Sequence, residues 1–290
     1  MAIGLETGFL LKYISKNRPF KKTATFGRQA FSGVSVKNAF KRNNYKDLDN
    51  HHKYVEEFLI ANMGSTKVES YDFNDYEGAT KIHDLGIELK EAEIYDTIID
   101  IGTSEHIFNI SQSFLNAIKL TKVNGMIINE IPSNNFCGHG LYQISPEFFF
   151  ELYSDNNGFG ETEIYIIDYT KINNPYVVLL DKPELGERNY LYSMNELGVF
   201  VKTVKKRNVE KIKVYQKNKE WDDKNFKNFK NFDYKDKYKK YEKIYFFKFL
   251  LFIYRYFKVI KIINRLIMFY NILTNSYIKK GKKIYFKNMN

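Results

Sequence analysis

Cysteine occurs once in this 290-residue chain, at Cys137. No internal disulfide and no cysteine-built metal centre can therefore form. Neither a His-Glu-x-x-His spacing nor a paired-cysteine spacing is present, so the pattern leads to no expected metal. No charge-free apolar run reaches the roughly 18 residues that a membrane-spanning helix needs. The opening Met1-Ala2-Ile3-Gly4-Leu5-Glu6 lacks a basic region followed by an apolar one, so no secretory signal is expected. A lone cysteine suits a reducing compartment, and the expected location is cytoplasmic.

Uniform charge is also missing. The net charge of +11 conceals a split. Residues 1–204 carry 20 Lys/Arg against 27 Asp/Glu, and residues 205–290 carry 25 against 7. An acidic domain with a basic tail has this signature, and a uniform nucleic-acid binder does not. Lys, Tyr and Phe in the tail could grip phosphate and stack on bases, but the acidic domain argues against nucleic acid as the partner.

Strands and helices alternate in the first two thirds. Lys22–Phe26 reads as a strand entering a turn at Gly27. Asp47–Met63 carries apolar residues at helical spacing and stops at Gly64. Strands follow at Thr66–Tyr71 and Tyr95–Ile101, with a weak third segment at Lys81–His83. Ser111 reads as the cap of a helix through Leu120, and Asn124-Gly125 as its break before a strand at Met126–Ile128. Ser145-Pro146-Glu147 is a strong helix start, ended by Asn157-Gly158. Two last strands, Glu163–Tyr169 and Gly198–Val204, have no good helix between them. They suggest an antiparallel strand at the edge of a parallel α/β sheet. The expected segments are 1–21, a domain over 22–204, a basic low-complexity linker over 205–243 and a basic apolar helical tail over 244–290. In 244–273 the five basic residues, Lys248, Arg255, Lys258, Lys261 and Arg265, fall within a helical arc of roughly 140°.

Ligands of open parallel sheets bind beyond the carboxyl ends of the strands. Asp72 stands where an acid would accept hydrogen bonds from both hydroxyls of a ribose. Asp84 stands where a polar group would meet an adenine amine. A turn or cap role is open for each. His139 sits in a Gly-flanked loop and is a candidate general base, with a structural hydrogen bond as its alternative. Asn134, Asn135 and Tyr142 are candidates for touching the acceptor. His51-His52 is expected at the surface, and Cys137 as a small buried residue.

Four stretches carry a resemblance: Gly27-Arg28-Gln29; Tyr71 to Ala79 with His83-Asp84-Leu85; Ile99 to Phe108; and Pro132 to Pro146. In their order they resemble the class I S-adenosylmethionine-dependent methyltransferase superfamily over about residues 22–204. More narrowly they are similar to bacterial methyltransferase-domain proteins assigned loosely to surface-sugar biosynthesis. The resemblance implies a Rossmann-like, doubly wound, seven-stranded sheet with its last strand inserted antiparallel. It implies S-adenosylmethionine as cofactor, held by Gly27, Asp72, Asp84, Gly102, Glu105 and His106. Its implied activity is methyl transfer to a small polar acceptor, such as a sugar or sugar nucleotide.

One departure stands out. The superfamily's first loop holds several glycines, whereas this chain has Gly27-Arg28-Gln29-Ala30 and its next glycine at Gly33. A single glycine still makes the turn, and Arg28 could pair with the cofactor's carboxylate. The alternative is a non-catalytic scaffold that kept the fold and docks through its tail. For that tail, an anionic membrane surface is the expected partner, against drifted sequence as the other reading.

Overall fold

The computed structural model describes residues 2–46, 53–169, 176–184, 189, 191–215, 277–278 and 281–285. The chain divides into two units: Met1–Lys182 with Asn195–Tyr215 and Lys280–Asn290, and Pro183–Met194 with Gln216–Lys279. In the second unit the described structure is a short antiparallel pairing of Leu191–Tyr192 with Tyr277–Ile278.

The first unit is built on one mixed sheet. Its strands are β1 (Lys21–Phe26), β2 (Ser65–Asp72), β3 (Lys81–Ile82), β4 (Tyr95–Ile101), β5 (Thr121–Asn134), β6 (Phe159–Asp168), β7 (Tyr176–Leu180), β8 (Leu197–Lys205) and β9 (Gly281–Tyr285). Their spatial order is β9-β7-β6-β8-β5-β4-β1-β2-β3. Strands β1 to β5 run parallel, while β8 pairs antiparallel with both β5 and β6. The order 3-2-1-4-5-8-6 is thus the expected seven-stranded sheet with its last strand inserted antiparallel. The antiparallel strand is not at the edge. It is buried along its whole length, and β7 and β9 lie beyond β6. Those two strands, with Tyr176-Val177-Val178-Leu179-Leu180 as the inner one, were not expected from the sequence.

Helices α1 (Leu5–Asn17), α2 (Val34–Arg42) and α3 (Glu56–Met63) contribute to one core. Phe9, Leu10, Leu11 and Ile14 of α1 are buried there with Phe40, Phe58, Ile99, Ile101 and Ile128. Residues 2–21 are therefore part of the domain's packing and not a separate leading segment. Helix α4 (Ile110–Leu120) packs on β4 and β5, and α5 (Pro146–Leu152) on β6. The cap at Ser145 is as expected, its Oγ accepting from the Glu147 amide at 3.2 Å.

Several boundaries differ from the sequence reading. Helix α3 begins only at Glu56, because Tyr54 bridges Ala30 and the Val55 amide donates to the Gln29 carbonyl. Residues 47–52, with His51 and His52, lie outside the described residues. Ser111 is inside α4, which starts after Asn109. Asn124-Gly125 does not break a helix. Strand β5 has already begun at Thr121, and residues 122–125 bulge out between the pairs Tyr95–Thr121 and Thr97–Met126. Residues 281–285 form a strand where a helical tail was expected, while the expected helix over 244–273 lies outside the described residues. Among the described residues no helix is long and apolar enough to cross a membrane.

Candidate functional site

Strand order reverses between β1 and β4, so the crevice beyond their carboxyl ends is the natural ligand position. Gly27 follows β1 with φ 69°, and its amide donates to the Tyr71 carbonyl at 2.7 Å. The next amide, of Arg28, lies 3.4 Å from Asp72 Oδ2. The His83 amide donates to the Asp72 carbonyl at 2.8 Å, which puts Asp84 on the adjoining turn. Gly102 ends β4 at φ 72°, with its amide on the Glu130 carbonyl at 2.9 Å. Gly27, Asp72, Asp84 and Gly102 thus share one end of the sheet. The hydrophobic side chains of Phe73, Tyr76, Ile87 and Phe108 are exposed on the same set of loops.

Arg28 points elsewhere. Its Nε donates to Glu56 at 2.7 Å, its Nη1 to the Glu77 and Gly78 carbonyls, and its guanidinium stacks 4.0 Å above the Tyr54 ring. With these partners it ties α3 to the loop after β2 and has no need of a ligand carboxylate.

Beside these strand ends lies a cleft of about 850 Å³, within the range common for small-molecule sites. Its wall includes Ile101, Gly102, Glu130, Ile131 and Pro132 from the sheet, and Gly4, Leu5 and Glu6 from the start of α1. Glu196, Arg42, Phe136, Tyr169, His106 and His139 also line it, whereas Gly27, Arg28, Asp72, Asp84 and Glu105 do not. Burial raises the Glu6 carboxyl above its ordinary range. Burial, with the charge of Glu6 adding to it, pushes Glu130 up to about 7, against the hydrogen bond from Tyr169 Oη at 2.7 Å.

Glu105 is fully buried, and neither carboxylate oxygen has a hydrogen-bond partner. Burial first, then the neighbouring charges of Asp100 and Glu130, pushes it up to about 8. Its Oε1 lies 3.8 Å from His106 Nε2 and 3.7 Å from His139 Nε2. Asp100 fixes the turn that leads there, accepting from the Thr103 and Ser104 amides and from Ser104 Oγ. The loop after β5 folds back over this turn. The Leu141 amide donates to the Glu105 carbonyl at 2.8 Å, and Tyr142 Oη to the Phe108 carbonyl at 2.7 Å.

The acceptor candidates separate. Asn134 closes β5 and pairs with Leu197, while Asn135 turns at φ 61° and donates to the Asn195 carbonyl. Neither they nor Tyr142 line the cleft. Cys137 is exposed, not buried, because it sits at the tip of this loop beside Gln143.

No family model and no curated protein sequence matches the chain. Solved structures show a partial likeness to it. One is an S-adenosylmethionine-dependent methyltransferase of Thermotoga maritima, 13% identical over 69% of this chain and 91% of that one, with a TM-score of 0.33. Another, from Archaeoglobus fulgidus, is 11% identical over 68% of this chain and 94% of its own, with a TM-score of 0.38. Likeness this slight settles nothing about activity, and the architecture is read from the strand order itself.

Glu6, Glu130, Arg42 and Tyr169 were not singled out in the sequence. Glu130 did leave a signal: Asn129-Glu130 interrupts an apolar run that is buried on both faces. Glu6 and Arg42 left none, since their place depends on how α1 and α2 dock.

Proposed function

We propose that the first unit binds S-adenosylmethionine and transfers its methyl group to a small polar acceptor. The carrying observation is that a cleft walled by three carboxylates reaches Gly102, at the end of the sheet that also bears Gly27, Asp72 and Asp84. A sulfonium ligand is cationic, and its arrival would favour the ionised forms of Glu6 and Glu130 that burial disfavours, with Glu196 on the same wall. Asp72 would take the ribose hydroxyls and Asp84 the adenine amine, with the exposed side chains nearby covering the adenine faces. Arg42, on the cleft wall, is better placed than Arg28 to meet the cofactor's carboxylate.

The methyl carbon of a sulfonium is already electrophilic, so the protein's work is to align the two reactants and exclude water. A hydroxyl acceptor must also lose a proton, and the Glu105–His106–His139 cluster is where the cleft provides for that. A sugar or sugar nucleotide is the acceptor we favour, on the sequence resemblance alone. Docking of the basic tail on an anionic membrane would bring the domain near lipid-linked acceptors.

Calorimetric titration of the full chain with S-adenosylmethionine tests the reading. Saturable binding in the micromolar range is expected. A flat titration would leave the scaffold alternative standing.

A further inference from the structure

We propose that Glu105, His106 and His139 together bind a divalent transition-metal ion at the floor of the cleft. Their three ligand atoms all lie within 4.8 Å of one another. The separations from the carboxylate, 3.7 and 3.8 Å, are too long for hydrogen bonds. They come close to the roughly 3.4 Å that separates two ligands of a tetrahedral zinc ion, each about 2.1 Å from the metal. For these two pairs a contraction of a few tenths of an ångström suffices, and the two exposed imidazoles, within 4.8 Å of each other, turn inward to complete the site.

The second observation is independent of that spacing. Glu105 is 0% exposed and both its oxygens are unpartnered, although the neighbouring Asp100, Thr103 and Ser104 side chains are all hydrogen-bonded. A buried carboxylate without partners is costly, and a cation between it and two imidazoles removes that cost.

The backbone is shaped to hold the third ligand in place. Gly140 has φ 77°, and a Cβ there would stand 2.9 Å from Glu105 Cγ and 3.4 Å from His106 Cε1. Only glycine lets the loop come this close. The His139 amide donates to the Phe136 carbonyl, and the Phe136 ring meets the imidazole edge-on at 5.6 Å. No sequence spacing announces such a site, because Glu105-His106 and His139 come from loops after different strands.

One carboxylate and two imidazoles suit zinc, iron(II), cobalt(II) or manganese(II), and three protein ligands leave coordination positions open. His106 and His139 line the cleft, so those positions face its interior, where an oxygen-rich acceptor can reach them. What the ion does there rests on the methyl-transfer reading. It draws electron density from an acceptor hydroxyl, and the O–H bond breaks with its proton passing to water in the cleft. The oxygen lone pair then bonds the methyl carbon as the carbon–sulfur bond breaks onto sulfur. His139 is in that case a ligand and not the base.

The test uses the full-length, untagged protein. Zinc is titrated by calorimetry and cobalt(II) by its visible absorption, with S-adenosylmethionine titrated separately. One equivalent of metal is expected. Glu105→Gln and His139→Ala should each weaken zinc binding by about 100-fold or more with unchanged circular dichroism. His139 lies on an exposed loop, so its variant keeps the test sound even if Glu105→Gln fails to fold. Absence of metal binding, or binding that neither variant changes, overturns the metal site whatever the cofactor titration gives. Metal binding without S-adenosylmethionine binding instead leaves the site standing and overturns the methyl-transfer reading.

Discussion

Asp72 Oδ1 accepts from the Phe73 amide at 2.8 Å, and its Oδ2 has only the long contact from Arg28. Asp84 caps its own turn through the Gly86 amide at 2.8 Å. Asp72→Ala should therefore weaken S-adenosylmethionine binding more than Asp84→Ala. Each charge-assisted ribose bond lost is worth about 1.5–3 kcal/mol. Calorimetry on both variants decides it, and equal losses would place the effect in loop collapse. Glu130 gives a second prediction. Below about 4.5 it is protonated in folded and unfolded chains alike. As pH rises from there to about 7, only the unfolded chain releases the proton, so stability falls and then levels off. The slope for one such group is at most about 1.4 kcal/mol per pH unit. Urea unfolding across that window should show the fall, and Glu130→Gln should flatten it in part, since Glu105 shifts the same way. At this scale the sequence was legible where a residue ends a strand, as with Gly27, Asp72 and Gly102. It was not legible where a long side chain chooses among partners, as Arg28 does.

Helix α1 was not read from the sequence, where 1–21 stood only as a leading segment, although Leu10, Leu11 and Ile14 repeat at helical spacing. Its docking depends on Gly8, where a Cβ would fall 2.1 Å from Phe40 Cζ. Gly8→Ala improves helix propensity by about 1 kcal/mol but forces the Phe40 ring out of a close-packed core, at a cost of about 1–3 kcal/mol. Net destabilisation is expected by thermal unfolding, and an unchanged or raised midpoint would show that α1 and α2 pack loosely. The helix stop at Gly64 and the start at Ser145 were legible because capping is local, whereas α5 ends at Leu152, short of the expected stop, and Gly158 closes a separate 3-10 turn over Asp155–Asn157. The late start of α3 was not, because the Tyr54–Ala30 bridge is a tertiary contact. The bulge at Asn124-Gly125 was misread for the same reason: turn residues mark an irregularity without saying which element it interrupts.

For the molecule as a whole, alternation of strand and helix made the parallel half of the sheet readable, whereas the change of charge after residue 204 gave no sign that residues 281–285 pair in the same sheet. The place of β8 came only with the resemblance, since no local pattern says that a strand inserts between two earlier ones. The tail's basic residues give a prediction for the intact chain. It should pellet with vesicles rich in phosphatidylserine and be released in part by high salt. Replacing Lys248, Arg255, Lys258, Lys261 and Arg265 with Glu should leave it in the supernatant. Pelleting that survives those replacements, or no pelleting of the parent protein, would end the membrane reading.

Strand β9 pairs with β7 across roughly a hundred intervening residues, Tyr285 against Tyr176 and Gly281 against Leu180. During synthesis β7 therefore emerges long before the partner for its outer edge exists. A five-residue apolar strand with unpaired amides and carbonyls is a template for pairing with other chains. Premature termination anywhere between β8 and β9 would leave that edge open for good, in a product whose parallel half is intact. Such truncated chains should accumulate as aggregates, even though β9 lies at the opposite edge of the sheet from the strands that carry Asp72 and lead to Asp84.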